Sequence, residues 1–367
     1  MLIQLKYRTL AIQFFPLKVK DIQRTTLNCS ILTFDVPEEL KETFRYNPGQ
    51  HLTLRTTING EEIRRSYSLC SSPLDGLWKV AIKQIEGGVF SSFINEKFKV
   101  GDTLDVGHPN GNFHVPTNPD AKKSYVAFAA GSGITPIFSI IKTHLIQEPD
   151  SRFVLFYTNQ NAASIILKEE IEALKNQFLE RFEVYYFLTQ EQRDVSLFNG
   201  RMDEEKLEKI STYLISTEAV DHFFLCGPEE MILMIRNFLL KEKVDEKRIH
   251  FELFFSANGQ KKERKTEQNS QNLTSISEIE IIEGGKNFKF KMSRNGENIL
   301  EAALGKNADL PYACKGGVCC TCKAKLIEGN VEMSVNYALE KEQVEAGYIL
   351  TCQAVPLTEK VVVDFDQ

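Results

Sequence analysis

"PYACKGGVCCTCKAK", residues 311–325, places Cys314, Cys319, Cys320 and Cys322 within nine positions of a 367-residue chain that has eight cysteines. Another thiol, Cys352, follows in "GYILTCQ". Five of the eight therefore lie beyond residue 313, unlike the spread of a disulfide framework. Thiols crowded around Gly316 and Gly317 point instead to a metal centre, and the rest of the chain has to supply its purpose.

The bounds are soon set. A chain of this length predicts two or three domains. With 44 basic against 50 acidic side chains, the formal net charge is -6. That mild acidity argues against nucleic acid as a partner, because phosphate binding wants a basic face. The N-terminal "MLIQLKYRTLAIQFFPLKVK" is interrupted by Gln13 and Pro16 and is a poor signal peptide. No apolar run approaches the roughly 20 residues that span a bilayer. The expectation is a cytoplasmic chain without a membrane partner, where clustered thiols bind metal more often than they pair.

Working backward from the thiols, residues 278–367 hold the strand-like runs "EIEII", "FKFKM" and "KVVVDF" around the cysteine loop. Before them, residues 256–277 have almost no apolar content and predict a flexible linker. Residues 120–255 alternate apolar strand runs ("SYVAFAA", "RFVLFYT", "RFEVYYFLT", "HFFLCG", "RIHFELF") with helical stretches, which predicts an α/β domain with a parallel sheet. Residues 10–116 carry short runs such as "SILTFDV", "HLTLRTT" and "WKVAIKQI" separated by turns. Asn59-Gly60 is a strong hairpin cue, and an antiparallel β-barrel is predicted.

The loop spacing is Cys314, four residues, Cys319, two residues, Cys322, then the distant Cys352. This is the plant-type pattern for a [2Fe–2S] cluster, whose irons and sulfides need four soft thiolates. The two glycines let the backbone pass close to the metals and aim N–H groups at them. Four thiolates also suit structural zinc, but zinc ligands usually come as two paired knuckles, so three-plus-one favours the cluster. The stretch from "NILEAALGKNADLPYACKGGVCCTCKAKLIEGNVEM" to "GYILTCQ" resembles plant-type ferredoxin domains, which implies an α+β (β-grasp) fold. Cys320 stands where those domains usually have Gly, Ser or Ala; a bystander role is favoured, and a register with Cys320 as ligand stays open.

A one-electron centre needs a source. "RRSYSLCSS" holds Arg65, Tyr67 and Ser68, and "GGVFSSF" holds Gly88 and Ser91. Either motif alone reads as ordinary surface and core. Together, on a barrel ahead of a nucleotide domain, they resemble the flavin site of the ferredoxin–NADP reductase superfamily. The resemblance implies FAD rather than FMN. It also implies that Arg65 pairs with flavin phosphate, Tyr67 packs on the flavin, and Ser68 donates near flavin N5. Gly88 and Ser91 would present a helix N-terminus to the pyrophosphate. The "NPGQHLTL" and "GHPNGNF" segments (Pro48, Gly49, Gln50; Pro109, Gly111, Phe113) match the same family's barrel turns.

"AAGSGITPIFS" carries Gly131, Gly133, Thr135 and Pro136 between a strand and a helix, the setting a phosphate turn requires. The superfamily uses this turn for the nicotinamide nucleotide. It likewise uses the turn at Cys226, Gly227 and Pro228, which implies that Cys226 lies by the nicotinamide and joins Ser68 as a catalytic group. Gln160 stands where members that read a 2′-phosphate often have arginine, with Lys168 and Arg193 as possible substitutes. NADH and NADPH both stay open. The whole order resembles the one-component reductases that feed bacterial oxygenases, and implies electron flow from NAD(P)H through FAD and the cluster to an oxygenase, expected to be diiron. A Rieske oxygenase or a desaturase as acceptor stays open, as does a zinc-stapled interaction module in place of the cluster.

Overall fold

Short strand-forming runs separated by turns build the N-terminal half. In the computed structural model, which describes residues 13–254, 275–294 and 296–367, six strands build the first sheet. They are β1 (Phe14–Thr26), β2 (Cys29–Asp35), β3 (His51–Ile58), β4 (Glu61–Ser68), β5 (Trp78–Lys83) and, after helix α1 (Val89–Lys97), β6 (Thr103–Gly107). Their order is β4-β3-β6-β1-β2-β5. A bridge from Leu69, just past β4, to Val80 of β5 joins the two edges and closes the sheet into a barrel. Closure removes the unpaired edges that an open sheet would expose. Asn59 (φ +53°) and Gly60 (φ +84°) form the predicted two-residue turn between β3 and β4, both left-handed as a hairpin of right-twisted strands requires.

The two barrel turns singled out in the sequence meet. A Cβ on Gly49 (φ +86°) would stand 1.9 Å from the Phe113 carbonyl oxygen, so no other residue fits there. Gln50 Nε2 then donates to the Gly111 carbonyl at 3.1 Å.

The next five strands are parallel: β7 (Ser124–Ala130), β8 (Arg152–Asn159), β9 (Phe182–Leu188), β10 (His222–Gly227) and β11 (Ile249–Leu253), in the order β11-β10-β7-β8-β9. Helices α2 (Ile134–Gln147), α3 (Lys168–Gln177), α4 (Glu204–Tyr213) and α5 (Glu229–Lys241) connect them. Strand order reverses at β7, and a parallel sheet binds its ligand in the crevice at such a switch point. The stretch "SIILKEEIEALKNQFL" is not helical from its start. Leu167 sits at φ +58° and α3 begins only at Lys168, because Ile165, Ile166 and Leu167 are drawn into the core.

Barrel and parallel sheet share that core within one compact unit. Cys29, Ile31, Cys70 and Ala81 of the barrel pack in the same apolar cluster as Ile137, Ile140 and Ile141 of α2. Ser139 Oγ donates to the Ser71 carbonyl at 2.6 Å, and the Ser72 and Thr143 hydroxyls lie 2.8 Å apart. Each fully buried aliphatic or phenyl side chain contributes about 1.5–3 kcal/mol, so the two domains resist relative motion.

Strands β12 (Ile276–Glu283), β13 (Lys286–Ser293), β14 (Lys323–Glu328), β16 (Tyr348–Leu350) and β18 (Lys360–Asp364) form a mixed sheet ordered β13-β12-β18-β14-β16. A small pair, β15 (Val331–Met333) with β17 (Ala354–Pro356), and helices α6 (Ile299–Leu304) and α7 (Lys341–Glu345) complete it. Its apolar cluster takes in Cys322 and Cys352. Of the expected linker, residues 256–274 lie outside the described residues, and Ile276 already opens β12. Among the described residues no helix is long and apolar enough to cross a membrane.

Candidate functional site

Between α6 and β14 the chain runs without regular structure, and the thiols turn toward one another in twos. Cys314 contacts Cys319 thiol to thiol, and Cys322 contacts Cys352. Among the described residues no three His, Cys, Asp or Glu side chains gather about a single metal position. Two pairs are what a binuclear cluster asks for, one pair per iron, whereas one zinc ion asks for all four around a point.

Each pair favours one thiolate, for Cys319 and Cys322 are pushed well up, first by their partner sulfurs and then by burial. Cys314 is held well below the ordinary thiol range, first by its contact with Cys319 and then, against burial, by the N–H groups of Val318, Gly316 and Cys319. The Gly316 N–H lies 3.3 Å from its sulfur. Cys352 is also lowered, by Cys322 first, with help from the Gln353 amide and the Gly317 N–H. Gly317 at φ +77° provides the turn that aims its N–H there. Cys320 points elsewhere: its thiol donates to the Ala338 carbonyl at 2.9 Å, on a backbone at φ +53°. This donor set fits a [2Fe–2S] cluster.

The barrel places Arg65, Tyr67 and Ser68 on β4, with Arg65 exposed, Tyr67 half-buried and Ser68 buried. Arg65 Nη1 donates to the Arg64 carbonyl at 2.7 Å, and the Tyr67 ring lies 5.8 Å from the Phe90 ring on α1. Gly88 is the N-cap of α1 and offers no side-chain cap, which leaves the first N–H groups of the helix to a ligand. Ser91 is buried and its hydroxyl is spent locally, accepting from the Ile85 N–H at 3.1 Å and donating to the Gly88 carbonyl at 3.3 Å. It shapes the turn rather than projecting from it.

At the end of β7, Gly131 and Gly133 form a tight turn into α2, again without a side-chain cap. Gly131 needs its freedom at φ +52° and accepts from the Tyr157 hydroxyl at 2.9 Å. A Cβ there would stand 3.7 Å from Lys83 Nζ, so a cation flanks the turn. Thr135 Oγ1 donates back to the Ser132 carbonyl at 3.0 Å, and Pro136 occupies the first helical turn, where its missing N–H costs nothing. Thr158 Oγ1, at the end of neighbouring β8, is buried with no partner among the described residues. An orphaned hydroxyl beside an uncapped helix start suits a nucleotide.

Cys226 is the penultimate residue of β10, fully buried, ahead of Gly227 and Pro228. A Cβ on Gly133 would stand 2.2 Å from the Cys226 carbonyl oxygen, so the two turns meet. Burial, with Glu252 nearby, pushes the Cys226 thiol well up and keeps it neutral. Glu252 belongs to no motif in the sequence. On β11 it pairs in register with Cys226, and its Oε2 accepts from Ser68 Oγ at 3.2 Å. Ser68, Cys226 and Glu252 thus converge from three strands at the crevice. The one signal for it is an acid set in the apolar run "RIHFELF". Lys168 and Arg193 line one cavity of about 540 Å³ with Glu172, Tyr186, Glu191 and Phe198, near the ends of β8 and β9.

Family models match in the same order: an oxidoreductase FAD-binding domain over residues 16–115, an oxidoreductase NAD-binding domain over 128–237 and a 2Fe-2S iron-sulfur cluster binding domain over 281–357. The chain is 41% identical to a subunit of the 1,2-phenylacetyl-CoA epoxidase of Escherichia coli K12, across 96% of this chain and 98% of that one. It is 33% identical to the ferredoxin reductase component of 3-ketosteroid-9-alpha-monooxygenase of Rhodococcus rhodochrous, across 95% and 96%. In fold it is similar to phthalate dioxygenase reductase, with a TM-score of 0.57, 22% identity and coverage of 96% and 98%. With three family models in this order and a relative 41% identical across nearly its whole length, the chain belongs to the ferredoxin–NADP reductase superfamily, among the electron-transfer reductase components of oxygenase systems.

Proposed function

We propose that this reductase feeds a diiron oxygenase that epoxidises a phenylacetyl-CoA-type thioester, and that Cys314, Cys319, Cys322 and Cys352 hold its cluster. The acceptor assignment is carried by the 41% identity, which runs through all three domains. The ligand assignment is carried by the pairing of the thiols two by two.

The residues have separable tasks. Arg65 and the open N-terminus of α1 would hold the phosphates of FAD, and Tyr67 would pack on it. Ser68, backed by Glu252, would orient the reacting edge of the ring system. The turns at Gly131–Gly133 and Cys226–Pro228 would hold the nicotinamide nucleotide, with neutral Cys226 adding no charge. FAD supplies acceptance of two electrons from NAD(P)H and their release singly, and the [2Fe–2S] cluster supplies one-electron storage. The shared core keeps Ser68 and Cys226 in one geometry, which transfer between stacked rings demands.

Anaerobic titration with NADH and with NADPH in turn, followed optically, should bleach flavin and iron–sulfur bands together, and iron and acid-labile sulfide should be equimolar at two each per chain. A yellow protein with zinc alone would overturn the ligand assignment. Adding phenylacetyl-CoA and its oxygenase component should couple nucleotide oxidation to epoxide formation. Coupling only with a steroid 9α-oxygenase component, the second reading that the 33% relative favours, would overturn the acceptor assignment.

A further inference from the structure

We propose that Gln353 is a positioning residue for the cluster: its amide ties the Cys352 sulfur to the cysteine loop and stabilises the reduced state. This rests on the ligand assignment above.

One nitrogen makes both links. Gln353 Nε2 donates to the Lys315 carbonyl at 3.0 Å and to Cys352 Sγ at 3.6 Å, the longer distance reflecting the larger radius of sulfur. The amide orientation follows from chemistry, because both neighbours are acceptors and the opposite flip would set Oε1 against them. Lys315 is held at φ +54°, an uncommon conformation for a side-chain-bearing residue, and its carbonyl is the one the amide receives. Space for the stem comes from Gly317, where a Cβ would stand 3.1 Å from Gln353 Cγ and 3.2 Å from the Val335 carbonyl oxygen.

The backbone of the same residue is pinned as well. Its carbonyl accepts from the Ser334 N–H at 3.1 Å, and its N–H donates to the Leu350 carbonyl at 2.9 Å. Gln353 therefore joins the segments that hold Cys314, Cys352 and Ser334. An N–H aimed at a ligating sulfur favours the more negative, reduced centre, because the added electron raises charge on that sulfur. Hydrogen bonds of this outer kind also orient the ligand.

The test compares intact protein with Gln353→Met and Gln353→Glu by anaerobic potentiometry. At a fixed ambient potential the Met variant should show a roughly tenfold lower ratio of reduced to oxidised cluster, about 59 mV for one electron. The Glu variant, with a carboxylate between two acceptors, should fall further. The flavin midpoint should stay unchanged in both. Variants with full iron and unaltered cluster potential would overturn the proposal. If a variant assembles no cluster, pulsed EPR on the reduced, unsubstituted protein carrying 15N in its glutamine side-chain amides decides. One weakly coupled nitrogen is expected, and none would overturn the role. Absence of iron and sulfide from the unsubstituted protein would strike the ligand assignment instead.

Discussion

Ser68 and Glu252 lie 184 positions apart in the chain, yet their side chains are 3.2 Å apart in the structure. A serine hydroxyl donating to a carboxylate has a fixed direction, and fixed direction is what a group beside a reacting ring must offer. Ser68→Ala removes the hydroxyl and leaves the barrel core intact. Losing a hydrogen bond of this charged kind is worth about 1.5–3 kcal/mol, so flavin reduction by NAD(P)H should slow roughly tenfold to a hundredfold. Stopped-flow reduction at full flavin occupancy measures it, and a rate within twofold of the parent would contradict the assignment. The proposed cysteine ligands rest on a signal at this scale, because three of them share one loop and their spacing matches the plant-type pattern. Glu252 was not legible there, since only parallel pairing of β10 with β11 brings it beside Cys226.

At the scale of elements, the turn from β7 into α2 depends on a steric fact. Gly133 has ordinary helical φ, so its requirement is space alone: a Cβ would stand 2.2 Å from the Cys226 carbonyl oxygen. Gly133→Ala should push the two turns apart and raise the KM for nicotinamide nucleotide about tenfold or more, while flavin and iron contents stay at parent values. Steady-state kinetics with those two contents checks both halves.

The far end of α2 carries a different load. Glu148 is fully buried; burial alone would raise its pKa, but contacts from His144, the Asn118 N–H, Tyr125 and Ser151 outweigh that and hold it down to about 2, against an ordinary 4.5. Tyr125 Oη donates to it at 2.8 Å and the Asn118 N–H at 3.0 Å. A carboxylate depressed in the fold stabilises it fully above the unfolded value and loses that contribution as pH falls toward 2. The difference in urea stability between parent and Glu148→Gln should therefore be level from pH 8 to about 5, at up to about 3 kcal/mol. By pH 3.5 it should shrink by about 1 kcal/mol. Fluorescence of Trp78, the single tryptophan, reports it; a difference that grows on acidification would refute the sign.

Across the whole molecule, two chemistries share one polypeptide but not one set of residues. Cys352→Ser should abolish electron delivery to one-electron protein acceptors and leave NAD(P)H-to-ferricyanide turnover within about twofold, since Ser68, Cys226 and the nucleotide turns are untouched. Equal loss of both activities would contradict the division. Parallel assays on one preparation, normalised to flavin, make the comparison.

Barrel, parallel sheet and thiol loop could be read from the chain alone, because strand alternation, glycine turns and cysteine spacing are local: each is set by residues a few positions apart. Tertiary structure decided what depends on distant segments meeting. It ordered the parallel strands so that the Gly131 turn falls at the switch point, and it delayed α3 to Lys168 by drawing three apolar residues inward. It also brought Lys168 and Arg193 to one cavity and Cys352 to Cys322. Packing and strand register create those neighbours, and no spacing along the chain encodes them.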